Sequence, residues 1–444
     1  MRTGFFAPPT GERYALRHVR VPAALVAGVK APATADGHLA LDIAIEGGRI
    51  AAIEPAGTID AARGPDLRQA SVWPTFADLH THLDKGHIWP RAPNPDGTFF
   101  GALTNVAADR KRHWNAADIE ARFEFALRCA YAHGVSAIRT HLDSFAPQAQ
   151  ISWPLFAKIR DRWAGRIALQ ASSILAMDAI AGDEGVALGD LVAKVGGQLG
   201  VVTRLTGQDH DGVPDSFDAY LEIVFKLAEE RSLDLDLHVD ETGDASARTL
   251  IRIARMALKR GFKGNILAGH CCSLAVQPDE AIAETLKLCA EARIDMVSLP
   301  MCNMYLQGRE PARTPRWRGV TVLHEARAAG LRVAVGGDNV RDPFYAYGDH
   351  DMAETFVQSV RIAQLDHPLG DWVKAVTTTP ADIMKLPAMG RIVAGAPADL
   401  VVFAARSFSE LLSRHQSDRT VIRDGKAIDT TLPDYRELDA IVGA

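Results

Sequence analysis

A His-x-His pair is the first feature of this 444-residue sequence that could do chemistry. The run DLHTHLD at residues 78–84 follows a short apolar stretch and contains His80 and His82. In an extended strand the side-chain direction repeats every two residues, so both imidazoles point to one side. Two converging imidazoles can chelate a borderline metal such as zinc or iron. An isolated His-x-His pair is also common as a structural or solvated feature, so it does not decide the matter alone.

Further polar residues stand where later apolar runs end. LHVDE contains His238 and Glu241, AGHCC contains His270, and VGGDN contains Asp338 and Asn339. Each of them, taken singly, is more often a hydrogen-bonded loop residue than a catalytic one. Together with the His pair they form a constellation of imidazoles and carboxylates that chance seldom supplies.

Strand-like and helix-like sequence patterns alternate along the part of the chain that carries these residues. Short apolar runs of strand length alternate with amphipathic stretches of helical length at 116–133, 217–232 and 245–260. This alternation is typical of βαβ units and a parallel sheet. Eight strands are predicted, at 76–80, 136–140, 167–171, 200–204, 234–238, 265–269, 295–299 and 332–336.

Eight such units predict an α/β fold with a (β/α)8 TIM-like barrel. An open doubly wound sheet is disfavoured because no Gly-rich dinucleotide loop follows the first strand. Barrels of this kind carry their active sites at the carboxyl ends of the strands. The candidate residues above stand at the ends of strands one, five, six and eight.

Short β-like runs flank the predicted barrel on both sides. They lie at 24–29, 39–45 and 49–53, and again in GRIVAGAPADLVVFAA and RTVIRDGKAI near the other end. Gly, Pro and Asp turns separate them. We expect the two flanks to pair into one small β-sandwich domain of residues 1–73 and 387–444, with the barrel at 74–386.

Composition and charge narrow the class of ligand. The chain is 47% hydrophobic and 23% charged, with a formal net charge of −6. Its basic residues are scattered, which disfavours nucleic acid and anionic membrane surfaces, and no apolar run of about 18 residues could span a bilayer. A small molecule is the expected partner. The five cysteines predict reduced thiols, and without a signal-peptide pattern the cytoplasm is the expected location.

The order of the motifs resembles the bacterial cytosine deaminase branch of the amidohydrolase superfamily. That order is HxHxD, HxDE, GH and a late GDN, closing with GAPADLVVF. LQGR at 306–309 and DNVRDPFY at 338–345 resemble the same branch and its relative N-isopropylammelide aminohydrolase, which has a similar HTHxDK start. The resemblance covers nearly the whole chain and implies a barrel enzyme that hydrolyses C–N bonds other than peptide bonds.

The resemblance also implies a role for each candidate residue. It implies one divalent metal ion, zinc or iron, held by His80, His82, His238 and Asp338. Such an ion lowers the pKa of water from about 16 towards 7. His270 would orient the attacking water without binding the ion, and Asp338 would accept a proton from that water. Glu241 would protonate the ring nitrogen beside the amino-bearing carbon and then the departing amine.

The fourth strand bears on the number of metal ions. Two-metal members of the superfamily usually carry a carboxylated lysine at its end, whereas GVVTRLT at 200–206 contains no lysine. A single ion is therefore expected. Lys85 belongs to the first loop and is expected to be structural or a charge at the edge of the pocket.

Two positions depart from the cytosine deaminases. Those enzymes carry a glutamine just past strand three that pairs with the pyrimidine, and the stretch around Ala176 contains none. Asn339 stands where they have an acidic residue after the metal-binding aspartate, which replaces a charge with a neutral donor and acceptor. The substrate is therefore not expected to be cytosine itself.

Four residues are candidates for substrate binding, namely Gln307, Asn339, Phe344 and His141. Gln307 could read the substrate by hydrogen bonds, and Phe344 could stack on a planar ring. Core packing would explain Phe344 as well. A hydrogen bond that fixes a metal-binding imidazole would equally explain His141.

Three functions are compatible with these sequence features. The leading one is a mononuclear metal-dependent hydrolytic deaminase of an aminated nitrogen heterocycle such as a pyrimidine, triazine, pterin or creatinine-like ring. The alternative is a cyclic amidohydrolase or an N-alkylaminohydrolase with the same metal chemistry, for which Glu241 would be less essential. The third is an inactive barrel that binds a ligand or supports an assembly, which the complete residue set disfavours. Barrels of this type commonly form dimers or larger assemblies, so a homo-oligomer is compatible with the sequence.

Overall fold

The computed structural model describes residues 4–208 and 210–443 as a mixed α/β protein. The strands in these ranges are β1 (Arg13–Pro22), β2 (His38–Glu46), β3 (Arg49–Pro55), β4 (Ser71–Pro74), β5 (Phe76–Thr81), β6 (Val135–Asp143), β7 (Ala168–Ile174), β8 (Leu235–Val239), β9 (Ile266–His270), β10 (Ile294–Ser298), β11 (Val333–Val335), β12 (Leu400–Phe403), β13 (Thr420–Arg423) and β14 (Lys426–Ala427). The α-helices are α1 (Phe99–His113), α2 (Ala116–Ala132), α3 (Gln148–Trp163), α4 (Gly182–Val195), α5 (Phe217–Arg231), α6 (Thr249–Arg260), α7 (Asp279–Glu291), α8 (Pro300–Leu306), α9 (Leu323–Ala328), α10 (Met352–Ala363), α11 (Thr378–Ile383), α12 (Phe408–Ser413) and α13 (Asp439–Val442). Among the residues described, no helix is both long enough and apolar enough to cross a membrane.

A seven-stranded sheet joins strands from the two ends of the chain. Its strand order is β14-β13-β12-β4-β1-β2-β3. β4 and β12 pair antiparallel, with Trp73 opposite Val401. Leu16, Ile43 and Val402 are fully buried in the apolar core of this sheet. The predicted pairing of the two flanking β segments is therefore present.

One predicted β run in the first flank is wrong. Residues 24–29 form no strand, because the structure has a short 3₁₀ turn at Ala23–Leu25 followed by an isolated bridge from Val26 to Ile392. Pro22 precedes the turn and has no N–H group with which to extend a ladder, so β1 ends there. β1 itself was not among the predicted runs.

Seven of the eight strands predicted for the barrel occur in the described chain, each within three residues of its predicted bounds. β8, β9, β10 and β11 form a parallel sheet, and β5, β6 and β7 form a three-stranded sheet. Isolated parallel bridges connect residues 198–202 to β7 on one side and to β8 on the other. A further bridge connects Thr81 to Asp338, just past β11.

The fourth predicted strand, at 200–204, makes only isolated bridges. A Cβ atom at Gly200 would lie 2.3 Å from the carbonyl oxygen of Ser173 and 2.4 Å from that of Asp236. The backbone therefore approaches both neighbouring segments closely, and only glycine fits at this position.

The alternation of residues along β8 determines which way its polar side chains point. All five of its residues are buried, as expected of a parallel strand covered on both faces. Leu235, Leu237 and Val239 alternate with Asp236 and His238, so the two polar side chains share one face. The period of two therefore sends His238 to the side opposite the leucines.

The chain groups into two compact units. One contains the chain up to Asp78 together with Arg128–Ala137 and Asp351–Pro433, and it holds the seven-stranded sheet. The other contains Leu79–Leu127, Ile138–His350 and the chain from Asp434 onward, and it holds β8 to β11. The division predicted at residues 73/74 and 386/387 stays a prediction.

Candidate active site

His80, His82 and Asp338 come together at the end of β5. Asp338 Oδ1 lies 3.2 Å from Nε2 of His82 and 3.6 Å from Nε2 of His80. The backbone fixes this arrangement, because Asp338 N–H donates to the carbonyl of His80 at 2.8 Å and the Thr81 hydroxyl donates to the carbonyl of Asp338 at 2.7 Å. All three side chains are almost wholly buried.

His238, at the end of β8, completes a set of four. Its Nε2 lies 3.5 Å from Nε2 of His82. Burial, together with neighbouring cationic groups, holds the pKa values of His80, His82 and His238 well below the usual histidine value. Neutral imidazoles with converging nitrogens beside a carboxylate are the donors that a divalent ion of the zinc or iron type requires. The four residues are therefore able to hold such an ion.

Glu241 and His270 lie beside this cluster and share one amide. His270 Nδ1 lies 3.3 Å from Oε1 of Glu241. Asn303 Nδ2 donates to Oε1 of Glu241 at 3.1 Å and lies 3.0 Å from Nδ1 of His270. Burial raises the pKa of Glu241 well above its usual value, and Asp338 raises it further. A buried carboxyl with a raised pKa can act as a general acid.

Asn303 was missed by the sequence reasoning. It lies on the short helix α8, five residues past the end of β10. The signal available was a polar residue after strand seven, the same signal that pointed to His238 and His270. The helix separates Asn303 from the strand end, which hides that signal in the sequence.

A cavity of about 450 Å³ opens onto these groups. His82, His238, His270, Glu241 and Asp338 line its polar part. Much of the remaining wall is apolar, with a long stretch supplied by one face of α1 from Phe99 to Arg110. A small, mainly apolar cavity with a few polar groups at one point is typical of a site for a small organic ligand.

Two of the four predicted substrate-binding residues line this cavity. Phe344 lies on its wall, with its ring centre 5.5 Å from that of Phe99 in an edge-to-face contact. Asn339 lines the cavity too, and its amide donates to Asp342 at 2.7 Å. Both side chains are within reach of a ligand held beside Asp338.

Gln307 and His141 are not among the described residues that line the cavity. The side-chain amide of Gln307 donates to the backbone carbonyl of Glu241 at 3.0 Å, so it supports the loop that carries Glu241. His141 is fully buried, with its ring centre 4.0 Å from that of His80 and its Nε2 3.8 Å from Oδ1 of Asp236. His141 therefore packs against the His80 ring, and which of its two expected roles it has stays a prediction.

A buried group of charges lies on the same cavity wall. Lys85 Nζ lies 3.2 Å from Oδ1 of Asp143, and Arg110 donates to Oδ2 of Asp143. Asp84 accepts the Asp143 N–H at 2.7 Å, and burial together with the Asp143 charge raises the pKa of Asp84 to about 7. Lys85, Arg110 and Asp143 all line the cavity.

Comparison with known proteins agrees with this geometry. The sequence profile described as "Amidohydrolase family" matches residues 162–429. A pterin deaminase from Rhizobium rhizogenes is 52% identical over 446 aligned residues, which cover 100% of each chain. An N-isopropylammelide isopropyl amidohydrolase from a Pseudomonas species is 25% identical over 405 residues, covering 87% of this chain and 93% of the relative.

The fold has solved counterparts. The crystal structure of 5-methylcytosine deaminase from Klebsiella pneumoniae, liganded with 5-fluorocytosine, superposes with a TM-score of 0.79 at 22% identity. The match covers 95% of this chain and 98% of that chain. At this identity the likeness concerns the fold alone.

The family match and the full-length relative show a hydrolase that acts on carbon–nitrogen bonds. The chain belongs to the amidohydrolase family, whose profile and full-length relative it matches. It is a deaminase of an aminated nitrogen heterocycle, as the resemblance in the sequence predicted. The predicted membership of the amidohydrolase superfamily is confirmed, and an N-isopropylammelide isopropyl amidohydrolase is among the relatives of this chain.

Proposed function

We propose that this protein is a hydrolytic deaminase of pterins. In this reaction water replaces the 2-amino group of a 2-amino-4-oxopteridine, so a C–N bond breaks, a C=O bond forms and ammonia leaves. The observation that carries the proposal is the 52% identity to a pterin deaminase over the whole chain, with every predicted catalytic residue gathered at one cavity.

The dimensions and lining of the cavity suit a small planar ligand. Its volume of about 450 Å³ lies within the range of roughly 300–1,000 Å³ usual for small-molecule sites. Phe344 and Phe99 offer aromatic surface to a planar ring. Asn339 offers both a donor and an acceptor to the polar edge of such a ring.

We propose that His80, His82, His238 and Asp338 hold one divalent ion, zinc or iron. The contacts of 3.2 to 3.6 Å among the nitrogens and the carboxylate oxygen support this set. When bound, the ion would lower the pKa of water and so supply a nucleophile at neutral pH. His141, packed on His80 beside Asp236, supports the orientation of that imidazole.

The chain's own groups account for the proton transfers. Asp338 is proposed to accept a proton from the attacking water. Glu241, protonated because it is buried near Asp338, donates its proton to the ring nitrogen beside the amino-bearing carbon. Glu241 then takes the proton of the hydroxyl on the tetrahedral carbon and passes it to the leaving amine as the C=O bond forms, and the proton held by Asp338 restores the Glu241 carboxyl. Asn303 holds the Glu241 carboxyl in place, and neutral His270 orients the water.

We propose further that the parallel strands close into a (β/α)8 barrel. Supporting this, the bridges at 198–202 connect β7 to β8, and the bridge from Thr81 to Asp338 connects the two remaining edges. The β-sandwich form of the small domain stays a prediction, supported by the seven-stranded sheet shared between the chain ends.

The experiment is ammonia release from metal-loaded protein across a panel of pterin, cytosine, an aminotriazine, creatinine and N-isopropylammelide. We expect ammonia from pterin, and a loss of about 100-fold or more in kcat with Glu241→Gln. Glu230→Gln, on the exposed face of α5, is the matched control and keeps full activity. Release of isopropylamine instead would support the alternative N-alkylaminohydrolase. A metal-loaded protein silent on pterin would refute the proposal.

A further inference from the structure

Lys85 is a buried cation on the wall of the active-site cavity. It comes four residues after β5, and only 6% of its side chain is exposed. Its ammonium lies 5.3 Å from the centre of the Phe344 ring, the aromatic surface available to a planar substrate. A charge buried beside that ring would contact the edge of any heterocycle stacked on it.

The ion pair with Asp143 does not use the full capacity of Lys85. An ammonium has three N–H donors, and one of them faces Oδ1 of Asp143 at 3.2 Å. The other oxygen of Asp143 accepts from Arg110. Burial alone would lower the pKa of Lys85, but the carboxylates of Asp143, Asp84 and Asp342 raise it above its usual value. The group at the cavity wall is therefore a charged donor that cannot accept a hydrogen bond.

Lys85 follows β5 and Glu241 follows β8, two strands on opposite sides of the proposed barrel. From β5 to β8 the order passes through β6, β7 and residues 198–202, and in the other direction through β11, β10 and β9. A substrate whose ring nitrogen meets Glu241 therefore turns its opposite edge towards Lys85. In a pterin, C4 lies directly across the ring from N1. If Glu241 protonates N1, the carbonyl at C4 therefore lies on the edge that faces Lys85.

We propose that the Lys85 ammonium donates a hydrogen bond to the ring carbonyl oxygen of the substrate and thereby selects 2-amino-4-oxo rings over rings that lack this oxygen. The inference rests on the proposed pterin deamination and names the residue that reads the substrate. Lys85 remains protonated throughout. A ring that lacks the oxygen leaves a buried ammonium without this acceptor, which is the basis of discrimination.

The test compares wild type and variants on two substrates, pterin and 2-aminopteridine, in the manner of a double-mutant cycle. The second substrate lacks only the carbonyl oxygen. We expect Lys85→Met to lower kcat/KM for pterin roughly 10- to 100-fold and to change the value for 2-aminopteridine less than about threefold. Arg110→Met is the matched control, since Arg110 also lines the cavity and pairs with Asp143. It is expected to leave the ratio of the two kcat/KM values within about threefold of the wild type.

Dissociation constants for pterin and 2-aminopteridine, measured by quenching of ligand fluorescence, give the preference for pterin independently of catalysis. A wild type that releases no ammonia from pterin, yet binds it through Lys85, would refute the proposed function and leave this inference standing. The inference would be overturned if Lys85→Met weakened the reaction or binding of both ligands equally. It would also be overturned if Arg110→Met lowered the preference for pterin as much as Lys85→Met does. Lys85→Met/Asp143→Asn removes both charges of the pair and serves if the single variant misfolds; a wild-type ratio in it would also overturn the inference.

Discussion

Nδ1 of His270 lies 3.3 Å from Oε1 of Glu241, and burial shifts the pKa of each group towards its uncharged form. Burial and the nearby Asp338 raise the pKa of Glu241, while burial lowers the pKa of His270 to about 3. Each shift favours the uncharged form of its group, namely the protonated carboxyl and the unprotonated imidazole. In the proposed mechanism the protonated carboxyl is the proton donor and the neutral imidazole orients the water.

Asn303 is expected to position Glu241 and to tune its pKa. Its hydrogen bond lowers the pKa of that carboxyl, so Asn303→Leu should raise it. Because the reaction needs protonated Glu241, the alkaline limb of kcat should move to higher pH. The lost orientation should also reduce kcat about 10- to 100-fold. The measurement is kcat for ammonia release as a function of pH, with metal content determined on the same samples.

The matched control for this variant is Asn105→Leu. Asn105 lies on α1, is half-buried, and donates only to a backbone carbonyl at Pro93 among its described contacts. It should leave the pH profile unchanged. If Asn303→Leu lowers kcat but leaves the alkaline limb at the wild-type pH, Asn303 has only a structural role and does not tune the pKa of Glu241.

The strand-end residues were predictable because strand geometry is regular. In β5 the period of two sends His80 and His82 to one side, and in β8 it sends His238 to the same side as Asp236. Parallel strands then bring their carboxyl ends together, so an apolar run followed by His or Asp was enough to nominate a residue.

Loop residues escaped this reasoning because tertiary contacts decide where their side chains point. Gln307 was expected to face the substrate, yet its amide donates to the backbone of Glu241. Arg110, on the cavity wall, lies within a helix whose sequence shows only an amphipathic stretch. No local pattern links Lys85 to Asp143, since they follow different strands.

Metal analysis tests the proposed single-ion site. We expect one equivalent of zinc or iron per chain in loaded protein, because the chain has no lysine at the end of strand four to bridge a second ion. His238→Ala should lose the ion. His324→Asn, at an exposed position of α9, is the matched control and should retain one equivalent. Two equivalents in the wild type, or one equivalent retained in His238→Ala, would contradict the assignment.

Away from the active site, Arg419 and Asp351 form a buried ion pair whose pH dependence can be predicted. Arg419 Nη1 donates to Oδ1 of Asp351 at 2.7 Å, and His133 Nδ1 lies 3.6 Å from Oδ2. Burial alone would raise the pKa of Asp351, but Arg419 and His133 hold it well below its usual value. Since the folded-state pKa lies below that of the unfolded chain, the carboxylate stabilises the fold above about pH 4, and this contribution is lost as the pH falls.

Arg419→Met is therefore expected to destabilise the protein most at neutral pH. It leaves the Asp351 charge buried without its main partner, which should reduce the free energy of unfolding by about 3–5 kcal/mol at pH 7. The deficit should shrink towards pH 4, because Asp351 can then take up a proton in the variant. Urea unfolding of wild type, Arg419→Met and the exposed-site control Arg414→Met across this range measures the difference. A deficit that is the same at pH 7 and pH 4 would mean that Arg419 stabilises the fold by packing rather than by its charge.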